Sequence, residues 1–181
     1  MQTLLNTPHE IIQQNILGAA LIAFLVAYSG QYDYSSGALG AYTIKVAYGK
    51  VHLSFANALV SGILCNILVC VAVLMAAAAK DIAGKVLAIF FPILAFVVSG
   101  FEHCVANMYY IPAGIFASKN AAYAAKTLEL YNIDSTQLSS LNWGSFAISN
   151  LIPVTISNII GGALLVGGAC FYLHGKALHE S

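Results

Sequence analysis

The stretch "SFANALVSGILCNILVCVAVLMAAAA", residues 54–79, is predominantly apolar and contains no charged side chain. About 20 consecutive apolar residues are enough for a helix to cross the hydrocarbon core of a bilayer. The rest of the chain has the same character, since it is 60% hydrophobic and only 8% charged, with a mean hydropathy of +0.82. Soluble domains carry about 25% charged residues. The sequence therefore predicts an all-α membrane protein.

Four segments are apolar and long enough, or nearly so, to cross a membrane as helices. The predicted spans are residues 10–30, 54–79, 86–116 and 146–173, within a single transmembrane domain over residues 1–181. The first span reaches full length only if it includes the more polar stretch "HEIIQQ". We therefore expect a multi-pass protein of the cell inner (cytoplasmic) membrane.

The charged residues and the cysteines exclude several other classes of protein. The formal net charge is zero and all seven cationic residues are lysines, so there is no basic patch for nucleic acid. The four cysteines lie in apolar runs without a CxxC pair, which is typical of small buried hydrophobic side chains. We expect no nucleic-acid partner and no metal site.

The third predicted span is interrupted near Ser99-Gly100 and continues as "FEHCVANMYYIPAG". Irregular backbone at membrane depth is tolerated only where it is buried in protein or lines a cavity, and broken helices form the substrate sites of many transporters. His103 and Asn107 are four residues apart and would share a helix face, while Glu102 would point elsewhere. Ionisable residues inside a membrane are functional candidates. The alternative is that these groups only hydrogen-bond to one another or to facing backbone.

Polar residues also occur in the second and fourth spans, at Asn66, Asn150, Thr155 and Asn158. A single asparagine in a membrane helix is more often an interhelical hydrogen-bonding group than a ligand contact. The small residues of "GGALLVGG" are typical of a face where helices pack closely. Polar groups on three spans are nevertheless what a lined pore would need.

Three motifs of the chain resemble signatures of the formate/nitrite transporter family. They are "GILCNILVCVA" at 62–72, "SGFEHCVANMYYIPAG" at 99–114 and "NLIPVTISNIIGG" at 150–162, and the resemblance extends over nearly all of residues 15–175. It implies an aquaporin-like helical bundle of two inverted three-helix repeats. It also implies a homopentamer in which each protomer has its own pore.

The chain departs from the family pattern in its number of spans. Family members have six spanning helices, whereas four are predicted here, and the first helix and the broken second helix have no counterpart. The chain would correspond to the C-terminal part of the family fold. This leaves open the alternative of a truncated, non-transporting paralogue or membrane subunit.

The resemblance implies passage of small monovalent anions or their conjugate acids, with formate first and hydrosulfide or nitrite next. It assigns roles to seven residues: His103 as the central pore histidine, Asn107 and Asn66 as polar pore groups, Phe96 and Val69 as the hydrophobic constriction, and Lys50 as a vestibule lysine paired with Glu102. An apolar constriction raises the pKa of a permeating acid, and histidine can share a proton near neutral pH. A vestibule lysine would concentrate anions.

A haem-binding bundle is the remaining alternative, with His52, His103 and His174 as possible axial ligands. Of these, only His103 is clearly within a predicted span. We therefore expect a channel with no enzymatic activity, no catalytic residues and no cofactor.

Overall fold

Residues 8–174 are described by a computed structural model, without the side chains of Pro8, His9, Ile11 and His174. All regular secondary structure in this part of the chain is helical, which confirms the predicted all-α fold. The ends of the predicted domain 1–181 and the side chain of His174 lie outside the described residues.

The helices follow one another with short connections. The longer ones are α1 (Pro8–Ala27), α2 (Ala38–Val51), α3 (Phe55–Ala78), α4 (Ile82–Val98), α5 (Cys104–Ala117) and α6 (Ala121–Tyr131). Short helices α7 (Ser135–Leu138) and α8 (Trp143–Ser145) precede α9 (Ile152–Ile159) and α10 (Gly168–His174). The segments Phe146–Leu151 and Ile160–Gly167 are π-helical, and Gln31–Asp33 forms a 3₁₀ turn.

Two helices of the described part are by themselves long and apolar enough to cross a membrane: Phe55–Ala78, and the continuous helical stretch Trp143–Leu173. The apolar helices Ile12–Ala27, Ile82–Val98 and Cys104–Ala117 are shorter. The third predicted span is thus divided between α4 and α5. The count of four spans in one transmembrane domain stays a prediction.

The break between α4 and α5 lies where the Ser-Gly pair predicts it. Gly100 has φ +67°, a conformation that glycine adopts without steric cost. The Gly100 N–H donates to the carbonyl of Val97 at 3.1 Å, and the Phe101 N–H donates to that of Phe96 at 3.0 Å. This pair of bonds is a Schellman motif, which ends a helix and satisfies its last carbonyls. The predicted helix break is therefore confirmed, and its cause is a glycine cap.

The chain divides into two compact units. The first comprises the described residues up to Leu53 together with Val105–Leu151. Its core is built around Ile44 of α2 and Ile111 of α5, both fully buried. A Cβ on Gly114 of α5 would collide with the side chain of Ala47, so these two helices approach closely because a side chain is absent.

Residues 31–53 and 117–145, which lie between predicted spans, contain helices α2 and α6. The Tyr123 hydroxyl of α6 donates to Asp33 Oδ1 at 2.7 Å. A Cβ on Gly40 of α2 would lie 2.8 Å from the ring of Tyr123. This connecting region is thus packed structure within the first unit.

The second unit comprises Ser54–Cys104 and the described residues from Ile152 onwards. Its helices α3 and α9 approach so closely at Gly62 that a Cβ there would collide with Ser157. A Cβ on Gly161 would likewise collide with the carbonyl of Ile63, whereas one on Gly168 would meet nothing within 4 Å. The packing face predicted from "GGALLVGG" is therefore confirmed for its first glycine pair.

Candidate functional site

His103 lies in the irregular segment between α4 and α5, in the second unit. Its ring stacks on that of Phe96, with centroids 5.6 Å apart and planes 22° from parallel. Phe96 lies in the last turn of α4. Because the glycine cap at Gly100 turns the chain, the imidazole comes back onto the ring that precedes the cap. Two of the predicted site residues are thus brought into contact.

The peptide groups on both sides of His103 are held by side chains from other helices. Asn158 Nδ2 donates to the carbonyl of Glu102 at 3.0 Å, and the Cys104 N–H donates to Asn158 Oδ1 at 2.9 Å. The Glu102 N–H donates to Ser61 Oγ at 3.0 Å. Backbone polar groups away from water require partners. Ser61 and Asn158 therefore fix the irregular segment that carries His103.

Asn158 also connects this segment to α3. Its Nδ2 donates to the carbonyl of Gly62 at 2.8 Å, and its own carbonyl accepts from Asn66 Nδ2 at 2.6 Å. Asn158 is buried, with 4% of its surface exposed. For Asn66 the structure shows an interhelical hydrogen bond, which the sequence left open as an alternative. A pore role for Asn66 stays a prediction.

Glu102 and Val69 are the other predicted site residues of the second unit. Glu102 is buried, with 2% of its surface exposed, and Val69 on α3 is half-buried. A buried carboxylate needs a compensating partner. The predicted pairing of Glu102 with Lys50, and the place of Val69 in a constriction, stay predictions.

In the first unit, Asn107 and Lys50 are linked through Asn150. Asn107 Nδ2 donates to Asn150 Oδ1 at 2.8 Å, and Asn150 Nδ2 donates to the carbonyl of Lys50 at 2.9 Å. Both asparagines are fully buried. The Lys50 ammonium lies 5.7 Å from the centroid of the Tyr110 ring, one turn along α5 from Asn107. The C-terminal end of α2 is therefore held to α5 by a buried amide pair.

His52, a ligand in the haem alternative, is engaged in other contacts. Its Nδ1 lies 2.8 Å from the carbonyl of Tyr48, and its Nε2 lies 3.1 Å from Ser140 Oγ. The Tyr48 ring contacts the imidazole, with centroids 4.0 Å apart and planes tilted by 30°. Since both ring nitrogens have hydrogen-bond partners, this arrangement disfavours His52 as an axial ligand.

A family model described as formate/nitrite transporter matches residues 4–172. The chain belongs to the formate/nitrite transporter family. It is 39% identical to the formate channel FocA of Haemophilus influenzae and 41% identical to that of Escherichia coli, in each case over 84% of this chain. It is 40% identical over 87% of its length to a probable formate transporter of Methanothermobacter thermautotrophicus.

Solved structures of family members share this fold. A pentameric formate channel with formate bound superposes with a TM-score of 0.81, at 34% identity over 92% of this chain and 64% of that one. A second structure, described as an FNT family ion channel, gives a TM-score of 0.66 at 27% identity over 87% of this chain. The chain spans 53% of the length of the two FocA relatives.

Three residues that organise this formate/nitrite transporter site were not among the predicted site residues: Ser61, Asn150 and Asn158. The asparagines were visible as polar residues in an apolar segment, where they indicate hydrogen bonding but not its partner. Most of their partners are backbone groups 54 to 100 positions away. Ser61 carried no sequence signal at all.

Proposed function

We propose that the chain contributes to a channel for small monovalent anions or their conjugate acids across the inner membrane. Formate is the first candidate, followed by hydrosulfide and nitrite. The observation that carries the proposal is an imidazole, His103, fixed in a helix break and stacked on Phe96. Membership of the formate/nitrite transporter family and the naming of several relatives as formate channels support it.

The chemistry follows from the cost of moving a bare anion through about 30 Å of hydrocarbon. Lys50 attracts the anion into the vestibule. Beyond it, Phe96 and Val69 exclude water, so that desolvation favours the protonated permeant. His103 shares a proton with the permeant, which then crosses as a neutral acid.

The hydrogen bonds around His103 give this step a fixed geometry. Since Asn158 and Ser61 hold the backbone on both sides of the histidine, its ring is oriented before the permeant arrives. A donor held in place costs little reorganisation when charge moves. Asn107 and Asn66 provide amide groups along the path, and Glu102 balances the charge of Lys50.

We also propose that the channel assembles as a homopentamer with one pore in each protomer. The likeness to a solved channel described as pentameric, at a TM-score of 0.81, supports this assembly. Ring assemblies are built from repeated contacts between identical surfaces. Mass measurement of the detergent-solubilised protein tests this point independently of transport.

The proposed function is tested by transport into liposomes that contain the purified chain. Formate, nitrite and hydrosulfide are supplied in parallel and uptake is followed by stopped flow, with acetate as a larger monovalent anion and protein-free liposomes as the background. We expect uptake above background for at least formate and slower uptake of acetate. Uptake of all anions at the background rate by folded protein would favour the non-transporting alternative.

A further inference from the structure

A cavity of about 220 Å³ lies in the first unit between the 3₁₀ turn, α2 and α5. Its polar lining consists of four tyrosines, a threonine and a glutamine: Tyr32, Tyr42, Tyr109, Tyr110, Thr43 and Gln31. We refer to it as the tyrosine cavity. A space of this volume holds about seven water molecules at ~30 Å³ each, so it accommodates a small ion with part of its hydration shell.

The hydroxyl of Tyr32 is the unusual group of this cavity. The side chain is 97% buried, since only 3% of it is exposed, and its Oη has no hydrogen-bond partner within the described residues. Tyr109 and Thr43 present hydrogen-bonding side chains to this Oη, but neither meets the distance and angles of a hydrogen bond with it. The Thr43 hydroxyl, however, donates to the carbonyl of Leu39 at 2.9 Å. Buried hydroxyls in native proteins nearly always have a partner, and this one converges with two other lining side chains.

The charges around the tyrosine cavity favour an anion as that partner. Lys45 Nζ lies 5.6 Å from the centroid of the Tyr42 ring, and Lys50 Nζ lies 5.7 Å from that of the Tyr110 ring. None of the residues that line the cavity is acidic. Asp33, which follows the lining residue Tyr32, already accepts a hydrogen bond from Tyr123. Two cations therefore contact the walls, and one carboxylate, held by Tyr123, lies next to a lining residue.

The cavity follows the side of α2 that ends at Lys50. The lining residues Leu39, Thr43 and Val46 continue to Lys50 at helical spacings of three and four, so these positions share a helix face. Tyr110 belongs to the cavity wall and also lies under the Lys50 ammonium. An anion in the cavity would thus be adjacent to the vestibule lysine.

We propose that the tyrosine cavity binds a small monovalent anion and that the Tyr32 hydroxyl donates a hydrogen bond to it. That this anion belongs to the class that permeates rests on the proposed function. The cavity is then a holding site beside Lys50, from which the anion is passed to the lysine. Formate is the probe of choice because its carboxylate accepts a hydrogen bond and it fits the volume.

The test is thermal unfolding of the purified full chain in detergent, with sodium formate replacing sodium gluconate at constant ionic strength. Tyr32→Phe removes only the hydroxyl. Tyr34→Phe is the matched control, because Tyr34 is 75% exposed and does not line the cavity. We expect formate to raise the midpoint of the wild type and of Tyr34→Phe with a saturable dependence. The half-saturating concentration should rise about tenfold in Tyr32→Phe, the scale of one hydrogen bond to a charged group.

Two results would overturn the inference. One is an equal formate effect, or none, in all three proteins. The other is a Tyr32→Phe protein that is more stable than the wild type in formate, because the hydroxyl would then be an unsatisfied group whose removal relieves a cost.

Transport separates this inference from the proposed function. Formate binding that depends on Tyr32, without any uptake into liposomes, would support the cavity as an anion-binding site and contradict the proposed channel function. Uptake by wild type and Tyr32→Phe with the same dependence on formate concentration would support the channel function and contradict the cavity as a holding site.

Discussion

The imidazole of His103 and the ring of Phe96 stack nearly parallel, 5.6 Å between centroids and 22° between planes, across the break between α4 and α5. An apolar ring thus covers the one group in this segment that can exchange a proton near neutral pH. The stack depends on the cap at Gly100, where φ is +67°. The glycine cap of α4 thus places the histidine for which we propose proton sharing with the permeant.

Replacement of the stacked ring should widen the constriction. We expect Phe96→Ala to reduce the preference for formate over acetate in liposome uptake by about tenfold, since one methylene in an apolar pocket discriminates by about 10- to 200-fold. Phe91→Ala on the same helix is the control, because Phe91 is 61% exposed. An unchanged preference in Phe96→Ala would show that Phe96 does not form the constriction.

Asn158 should be essential to the segment that carries His103. Asn158→Ala leaves the carbonyls of Gly62 and Glu102 and the Cys104 N–H without this partner. Each buried group left without its partner costs about 1–3 kcal/mol, so we expect the free energy of unfolding to fall by about 3 kcal/mol or more. Denaturation in detergent measures this. Asn57→Ala, at an exposed position of α3, should be neutral, and equal stability of the two variants would contradict the role of Asn158.

Asn107 and Asn150 should behave as a coupled pair. Their side chains share a hydrogen bond of 2.8 Å in a fully buried setting. We expect a double-mutant cycle with Asn107→Ala and Asn150→Ala to give a coupling free energy of about 1 kcal/mol or more, because contacting residues are non-additive. Additive losses of stability would show that the hydrogen bond between the two side chains does not couple their contributions to stability.

Gly161 and Gly168 of "GGALLVGG" differ in packing and should therefore differ in how well they tolerate substitution by alanine. Gly161→Ala places a Cβ against the carbonyl of Ile63, whereas Gly168→Ala places one where nothing lies within 4 Å. We expect Gly161→Ala to lower the thermal midpoint by several degrees or to prevent folding, since overpacking costs about 1–3 kcal/mol. Gly168→Ala should be as stable as the wild type. Equal midpoints for the two variants would contradict the close approach of the helices.

The stability of the first unit should depend on alkaline pH through Tyr123. Its hydrogen bond to Asp33, and next its burial, raise the pKa of Tyr123 above its usual value of 10.0. The protonated phenol is therefore favoured in the folded state. Its stabilising contribution is complete below a pH of about 10, the unfolded value, and is lost as the pH rises through the raised folded value.

Thermal midpoints of wild type and Tyr123→Phe between pH 8 and pH 11 measure this contribution. We expect the wild type to lose more stability than Tyr123→Phe over that interval. Tyr34→Phe, at an exposed position, should follow the wild type. Parallel curves for wild type and Tyr123→Phe would show that the bond to Asp33 does not favour the protonated phenol.

Local features of the sequence predicted a good part of this architecture. The long apolar runs indicate membrane helices, and the Ser99-Gly100 pair indicates the break because glycine alone readily takes the positive φ of a Schellman cap. The glycine pair Gly161-Gly162 indicates close helix packing for a similarly local reason. These predictions needed no knowledge of which segments meet.

What the sequence did not predict depends on contacts between distant segments. The helix α2 lies outside the four predicted spans because its tyrosines and lysines interrupt the apolar pattern, and its helical form is stabilised by packing against α5. Asn158 was recognised only as a polar residue, since its partners lie 54 to 96 positions away. The tyrosine cavity arises only when three segments that are separate in sequence converge.

The most direct test of the account is the pH dependence of formate uptake by His103→Asn, which keeps hydrogen-bonding groups but cannot exchange a proton near neutral pH. Uptake is measured in liposomes between pH 5.5 and pH 8 beside wild type, His52→Asn and protein-free liposomes. We expect uptake by the wild type and by His52→Asn to rise as the pH falls, and uptake by His103→Asn to show only the dependence of the protein-free background. Uptake by His103→Asn with the rate and pH profile of the wild type would contradict a proton-sharing role for His103.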